Sequence, residues 1–485
     1  MPNNLLGEDG FFFLEVDALC KSPVIACAPE TTVVEVARQM REHRISGLVV
    51  VRDEVPVGIV SARDLCDLIA ATGGQVGERR AEEVMRTELV TISRSHYVYD
   101  AIFKMAKHNI HRILVTDADG RLVGMVTDTD FLGLQTRSPL YLTREIASAQ
   151  TIAQLRGINE QLVETVSRIS RSIADTRSLV HLISHFNDVF TLRIIALMEA
   201  DEDLRLPDGA AYLALGSEGR GEQTLRTDQD SAIVYRDGLA PEALATLDRF
   251  AARLVDALEE VGVPRCPGNT LASNPEWRHC LSAWKERLDQ WISVPKPEYL
   301  VNFSMFQDFR TLHGDVSLEG ELHDHVQNCI QRNTLYLPYM ARHVYGFRAR
   351  VGMFGRILVE RRGEGRGKVD IKKHGIFALT QGVSLLALEQ GVFNGTTWDK
   401  IEQLAARGIF SAEEVEVFEE SFSYLMRLRL FMQLRALAAK TDPTNYIDPL
   451  VMTPSERERL RSALKGVNGL MKILKNRYRL DFIAR

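Results

Sequence analysis

Apolar positions along the chain change period several times, and the changes divide it. Within residues 17 to 135 short apolar runs alternate with helical spacing, and they do so twice. Val33–Met40 and His96–Met105 carry helical patterns, while Ile45–Val51 and Ile110–Thr116 read as strands. Val57-Gly-Ile-Val-Ser-Ala-Arg-Asp64 recurs 66 residues later as Val123-Gly-Met-Val-Thr-Asp-Thr-Asp130. Each copy predicts helix, strand, turn, strand, helix, with Asp53 and Asp117-Ala-Asp-Gly120 as turn residues. A repeat of this size points to paired units that bury a shared face.

From Leu155 the apolar residues fall at 155, 158, 162, 166, 169 and 173, then at 180 and 183. Steps of three and four predict an amphipathic helix. Such a segment links a sensor to a catalytic domain, pairs with a copy of itself in a homodimer, or forms one wall of a bundle. His181 and His185 stand four apart, but no third ligand accompanies them, so they read as a plain helix face.

Two strand-length runs follow, Tyr212–Leu215 and Ala232–Tyr235, with Gly216-Ser217 and Asp228-Gln-Asp230 between them. Pro241 opens a helix whose apolar face runs Leu244, Leu247, Phe250, Leu254, Leu258 and Val261, and Gly262 closes it. Cys266–Pro275 is a loop. Trp277, Trp284 and Trp291 recur every seven residues, a helix stripe read as a core seam rather than a base-stacking platform. After Pro295-Lys-Pro297, Tyr299–Arg310 is read as a strand. Phe303, Met305 and Phe309 then share one face; Asn302, Ser304, Phe306 and Asp308 share the other. Beyond residue 330 helical patterns dominate: Leu335–Val359, Ile376–Gln390, Ile401–Arg407, Ala412–Ala438 and Pro454–Tyr478.

Composition adds limits. At 485 residues, about three domains are expected. Hydrophobic content of 45% and charged content of 26% are those of a globular protein, and a net charge of −6 argues against a nucleic-acid binder. No run approaches 18 apolar residues, so no membrane span is expected. Phe11–Leu14 follows Glu8 and Asp9 without a basic segment; it reads as packing onto the first domain, not as a signal peptide. The six cysteines form no C-x-x-C and no zinc spacing, which predicts reduced thiols and a cytoplasmic location.

The chemistry sits between residues 212 and 237. Side chains two apart on a strand face one side, roughly 6.5–7 Å apart. Asp228 and Asp230 therefore present two carboxylates to one point, a donor set suited to Mg²⁺ beside substrate phosphates. Gly216 lets backbone amides approach a triphosphate, and the Ser217 hydroxyl adds a donor. The glycines do not fit G-x-G-x-x-G, and no Walker sequence is present; in RRGEGRGK, Arg361–Lys368, Val369 stands where the metal-binding hydroxyl would be. That stretch is expected as a mobile basic loop near the active site.

Gly216-Ser217, Arg220, Glu222 and the Asp-x-Asp resemble the polymerase-β-type nucleotidyltransferase superfamily. GSEGRGEQTLRTDQD is similar to the branch of bacterial signalling proteins related to the N-terminal domain of protein-PII uridylyltransferase. The resemblance implies Mg²⁺, two ions in all, bound by Asp228, Asp230 and a third acid. Asp308, in Phe-Gln-Asp-Phe-Arg, matches the family segment that carries the third; Asp315 is the rival. It implies phosphate binding at Gly216 and Ser217, with Arg220 or Arg226 neutralising charge and Glu222 bracing the loop. The doublet His323-Asp324-His325 does not make the phosphohydrolase domain found in uridylyltransferases.

The repeated Gly-hydrophobic-hydrophobic-[Ser/Thr]-x-x-Asp resembles a tandem pair of cystathionine-β-synthase-type (CBS) domains. The resemblance implies AMP or ATP touching Ser61, Asp64, Thr127 and Asp130. An equal reading makes Ser61 and Thr127 helix caps, with the aspartates completing capping boxes. The tail resembles the helical substrate-binding domain of this branch, through Asp370-Ile-Lys-Lys-His-Gly375, Arg427-x-Arg429 with Gln433, and Asn445-x-Ile-Asp-Pro449.

The expected architecture is an α+β multidomain protein. Residues 1–16 form an extension and 17–137 the CBS pair, with repeats at 17–72 and 81–135. Residues 138–200 are a helical connector, 201–328 the nucleotidyltransferase domain with a mixed sheet, and 329–485 an all-α domain. The expected function is Mg²⁺-dependent transfer of a nucleoside monophosphate from a nucleoside triphosphate to an acceptor, a protein-PII-like protein by kinship, under adenine-nucleotide control. The alternative is a catalytically silent nucleotide sensor acting through protein contacts. Terminal addition to RNA is disfavoured by the acidic charge.

Overall fold

A computed structural model describes the chain except residues 1–14, 21–23, 44, 129–138, 173–174, 201–203, 226, 350, 353–356, 364 and 484–485. Phe11–Leu14, Arg226 and Asp130 therefore lie outside the described residues. The chain divides into two compact units, one of residues 1–145 with 171–173, the other of residues 146–170 with 174–485.

In the first unit each repeat builds the same three-stranded sheet. The first copy runs β1 (Ala26–Cys27), α1 (Val33–Glu42), β2 (Gly47–Arg52), β3 (Val55–Ser61) and α2 (Ala62–Thr72). β1 pairs parallel to β2, and β2 antiparallel to β3. The second copy runs β4 (Thr91–Ser93), α3 (Val98–Lys107), β5 (Arg112–Thr116) and β6 (Leu122–Thr127), with the same pairing senses. Buried Val36, Met40, Leu48, Val50 and Val60 make the first core, the residues the periodicity assigns inward. α2 begins with a capping box: the Ser61 hydroxyl accepts from the Asp64 amide, and Asp64 accepts from the Ser61 amide at 2.8 Å. Gly73, at φ 62°, ends it in the left-handed region open to glycine.

The second unit contains α4 (Ile152–Ser172) and α5 (Thr176–Met198), then β7 (Ala210–Ala214), β8 (Ser231–Tyr235), α6 (Pro241–Val261), β9 (Arg278–Cys280) and α7 (Leu281–Ser293). α8 (Pro297–Phe306), β10 (Arg310–Gly314), α9 (Ser317–Arg332) and α10 (Tyr336–Tyr345) follow. The sheet is mixed, in the order β10-β7-β8-β9, and only β8 and β9 are parallel. Buried Leu155, Ile158, Leu162 and Val166 form the apolar stripe of α4. Pro241 starts α6, and Gly262, at φ 112°, stops it, as the sequence predicts.

One element differs. Tyr299–Arg310 is not a strand: Pro297 opens a helix that continues to Phe306. Leu300, Phe303 and Phe306 are buried at steps of three, a spacing that a strand would split between its faces. Phe306 stacks on Trp284 at 4.7 Å, and Phe303 meets Tyr336 edge-on. Burial of these aromatics against α7 and α10 selects the helix. Trp277 also lies before the helix that carries Trp284 and Trp291, yet the three rings converge at 6.0–6.3 Å.

The remaining elements are β11 (Val369–Asp370), a π-helical turn (Lys372–Phe377), α11 (Ala378–Glu389), α12 (Thr397–Ala406), α13 (Ala412–Ala438), β12 (Tyr446–Ile447) and α14 (Pro454–Arg477). The pattern read over Leu335–Val359 yields a shorter helix, ending at Tyr345 before Gly346. All pack into one hydrophobic core with the sheet.

Candidate active site

β7 and β8 are buried along almost their whole length, so the polar stretch between them is fixed at both ends. The Leu215 amide bonds to the Asp230 carbonyl at 2.9 Å and closes that stretch into a compact turn. Gly216 sits at φ 53°, and a Cβ there would lie 3.3 Å from Asp230 Oδ2. Glycine is required twice over at this point, for backbone conformation and for the approach of the carboxylate. Gly219 is required by space alone: a Cβ would fall 1.8 Å from the Asp308 carbonyl oxygen. Beneath the turn, Arg310 binds both Asp188 oxygens at 3.0 Å and donates to the carbonyls of Glu218 and Gly219. Glu218 is buried beside Asp188, and its carboxyl is pushed up to about 8, first by burial and then by that neighbour's charge.

A cavity of about 840 Å³, counting its mouth, opens over this turn. Gly216, Ser217, Arg220, Asp228 and Asp230 line it from the sheet side. Ser304 and Met305 of α8, Lys372, Ile376, Phe377, Thr380 and Gln381 of the π-turn and α11, and Met426 and Arg429 of α13 line it from the helical side. Its size suits a nucleotide.

Asp228 and Asp230 precede β8 and flank Gln229, whose side-chain amide donates to the Val255 and Val263 carbonyls. That anchor turns Gln229 inward and leaves its two neighbours on the cavity. Burial pushes the Asp230 carboxyl up to about 6; a Cys266 hydrogen bond opposes this, and the Asp228 charge adds to it. Asp230 Oδ1 is buried without a hydrogen-bond partner among the described residues. Opposite them are two cations. Burial lowers the Lys372 ammonium, with Arg429 adding to the effect and Asp228 opposing it. Burial lowers Arg429 to about 10, against the pull of Asp228 and Asp370. Arg429 Nε also lacks a hydrogen-bond partner among the described residues. An orphaned carboxylate oxygen and an orphaned guanidinium nitrogen in one cavity fit a ligand that carries both a cation and phosphate oxygens.

Asp308, the metal ligand that the resemblance implies, is not among the residues that line the cavity. One oxygen accepts from Arg220 at 2.7 Å; the other accepts from Lys400 at 2.5 Å and from Ser384 at 2.9 Å. Burial acts to raise its carboxyl, but Lys400 and Arg220 hold it below the usual range. Both oxygens are taken, and Asp308 orients Arg220. Its rival Asp315 is exposed in a turn, bonded to Arg236 and Ser317. Glu222 binds Arg220 at 2.8 Å and accepts from the Thr397 amide. Asp228 and Asp230 face the cavity without such bracing, a donor set suited to Mg²⁺.

Other expected groups fall elsewhere. The described basic residues of Arg361–Lys368 do not line the cavity. His323 is sandwiched between Phe309 and Phe393, and burial lowers its imidazole to about 4. His181 packs edge-on to Trp398. In the first unit both Asp64 oxygens are occupied, by Ser61 and by Arg86 at 2.8 Å, which is the capping arrangement. Thr127 closes β6 opposite Arg112. Lys372 and Arg429 were given no role by sequence reasoning. Their only signal is that both lie in the tail segments that resemble the family.

Comparison with known proteins agrees with this division. A family profile described as "Putative nucleotidyltransferase DUF294" matches residues 160–298. One described as "Putative nucleotidyltransferase substrate binding domain" matches 334–478, and the CBS domain profile matches 16–71 and 81–136. An uncharacterised protein of Methanopyrus kandleri is 32% identical over 25% of this chain and 63% of its own length. A CBS domain-containing protein of Bacillus subtilis is 34% identical over 21% and 72%, respectively. An inosine-5'-monophosphate dehydrogenase of Korarchaeum cryptofilum is 35% identical over 22% of this chain, which spans only 21% of that enzyme. Among solved structures, a CBS domain protein of Pyrobaculum aerophilum complexed with AMP aligns at 25% identity and TM-score 0.23, covering 24% of this chain and 90% of that one. Among the described residues, no helix is long and apolar enough to cross a membrane. With all three profiles found in the order the motifs predict, the chain belongs to the family that joins a CBS-domain pair to the DUF294 domain and its substrate-binding domain.

Proposed function

We propose that the chain transfers a nucleoside monophosphate from a nucleoside triphosphate to an acceptor, with Mg²⁺, under control of an adenine nucleotide at the CBS pair. The observation that carries the reading is the cavity itself. Asp228 and an underpartnered Asp230 face it from one side, Lys372 and Arg429 from the other, and the Gly216 turn closes the end.

Asp228 and Asp230 would hold the Mg²⁺ of a Mg²⁺–triphosphate. The bound ion supplies neutralisation of phosphate charge in the crowded transition state. Gly216 and Ser217 receive the terminal phosphates. Lys372 and Arg429 balance the remaining negative charge in a site where water does not screen it. Arg220, fixed by Glu222 and Asp308, presents a pre-oriented guanidinium that needs no reorganisation. An acceptor nucleophile bonds to the α-phosphorus, the bond to the bridging oxygen breaks, and pyrophosphate leaves. The acceptor proton passes to solvent. Apart from Ser304 and Met305, the helical side of the cavity belongs to the segment matched as substrate-binding, so the acceptor enters there. A protein acceptor of the protein-PII kind follows from kinship of the motif.

The test is a panel of labelled triphosphates with Mg²⁺, run with and without native cell extract. Mg²⁺-dependent label on an acceptor, lost in Asp230→Ala, supports the proposal. A second reading, a catalytically silent nucleotide sensor, draws on the locked state of Asp308. Triphosphate binding without label on any acceptor favours that reading. Adenylate control predicts that AMP or ATP at the CBS pair shifts the transfer rate by a coupling of about 1–3 kcal/mol; equal rates across the titration count against it.

A further inference from the structure

The doublet at His323 and His325 sends its two imidazoles to different places. His323 goes into the aromatic core. His325 faces α7, and there it meets two other groups able to bind metal. Cys329 lies one turn further along α9, and Asp289 projects from α7. The donor atoms of Asp289, His325 and Cys329 all lie within 4.8 Å of one another. His325 Nε2 is 3.1 Å from Asp289 Oδ1, and the Cys329 thiol donates to the same oxygen at 2.8 Å. His325 Nε2 is also 3.1 Å from the Lys285 carbonyl.

We propose that Asp289, His325 and Cys329 form a zinc site that clamps α7 to α9. One thiolate, one imidazole and one carboxylate are the donor types Zn²⁺ takes. Bond lengths of about 2.0–2.3 Å make the edges of a zinc tetrahedron roughly 3.3–3.6 Å, inside the span of the three donor atoms. The side chain of Asp289 is 57% exposed, so it can open by the roughly 0.2–0.8 Å required. That exposure also leaves a fourth position for water. On binding, the Cys329 thiol gives its proton to solvent, and His325 takes the tautomer with its proton on Nδ1, which exposes the Nε2 lone pair. Burial and the Asp289 contact push the metal-free thiol up to about 12, so binding is proton-coupled and strengthens as pH rises.

The site is separate from the nucleotide cavity: none of its three residues lines that cavity. Its place in the fold gives it a structural task. α7 carries Trp284, whose indole donates to the Ile233 carbonyl of β8, and α9 follows β10 at the opposite edge of the same sheet. A bridge between α7 and α9 therefore fastens two supports of the sheet that presents Gly216 and Asp230. No spacing rule reveals it, because Asp289 is supplied by another helix.

The test uses the full chain, stripped by a chelator under a non-thiol reductant and titrated with Co²⁺ and then Zn²⁺. Expected are one bound ion with a thiolate-to-cobalt charge-transfer band and tetrahedral visible absorption, its displacement by Zn²⁺, and a higher thermal midpoint with Zn²⁺. Cys329→Ser removes the band and weakens Zn²⁺ binding by about 100-fold or more. His325→Gln, whose histidine is outside the aromatic sandwich, serves as a second variant and also weakens binding. Asp228→Asn leaves the band unchanged. No thiolate band in the native chain overturns the proposal. So does a band that survives Cys329→Ser, or one lost in Asp228→Asn, which would put the ion in the nucleotide cavity.

Discussion

Asp230 and Asp308 are two buried acids that both feel the charge of Arg220, and the protein treats them in opposite ways. Asp308 receives Arg220, Lys400 and Ser384, and its carboxyl is held low. Asp230 keeps one oxygen without a partner among the described residues, and burial drives its carboxyl up to about 6. Desolvation acts on both; the count of partners separates them. A carboxylate satisfied from within is part of the framework, and one left short in a cavity is positioned for a ligand. The difference also distinguishes Arg220 from Arg429. Arg220 is held by two acids, whereas Arg429 enters the cavity with a nitrogen to spare.

The largest effect expected from this contrast is on folding. Asp308→Asn leaves Lys400 buried without its counter-charge and Arg220 with Glu222 alone, at a cost of about 3–5 kcal/mol. Chemical denaturation of the purified variant reads this directly. A variant of native stability that has lost nucleotide transfer would return Asp308 to the metal site. Asp230→Ala is expected to do the reverse, leaving the fold intact and lowering turnover by at least about 100-fold. Unchanged transfer in that variant would break the comparison from the other side.

A smaller effect has a sign that burial alone dictates. Burial holds the folded carboxyl of Asp230 up at about 6, above the usual carboxylate range. The folded state thus holds the proton more tightly than the unfolded one, and stability is lost as pH rises through that window. Asp230→Asn, which cannot ionise, should therefore stabilise the metal-free protein at pH 7.5, by on the order of 2 kcal/mol. The gain should vanish toward pH 4 and shrink when Mg²⁺ and triphosphate are added. Thermal melts at three pH values check it; a gain that grows as pH falls would contradict the assignment. The smallest effect concerns the first unit. Ser61→Ala removes the cap of α2 and should cost about 1 kcal/mol. Melting with and without AMP tests this: AMP protection lost together with the hydroxyl would give Ser61 a ligand-binding task beyond capping.

Much of the framework was legible because periodicity is local. Tyr212–Leu215 and Ala232–Tyr235 overlap the strands that hold the motif, and Pro241 and Gly262 bound the helix that follows. The twice-used order of strands and helices in the first unit follows from the repeat. Tyr299–Arg310 was misread because apolar residues at 300, 303, 305, 306 and 309 satisfy both periods, and only packing against Trp284 and Tyr336 decides between them. The cavity was half legible. Asp228, Asp230, Gly216, Ser217 and Arg220 declare themselves as a cluster in sequence. Lys372 and Arg429 do not, since isolated basic residues in helical segments resemble any solvated face.

The amino-acid order by itself determined the repeated unit, the glycine turn between two strands and the pair of aspartates that follows it. These depend on neighbours a few residues away, through backbone sterics and side-chain period. Tertiary structure alone decided which acid is closed off and which stays open. Lys400 reaches Asp308 from 92 residues along the chain, and Arg429 faces Asp228 from some 200. Charge compensation in a buried site is a property of what packing brings together, and distance along the chain carries no record of it.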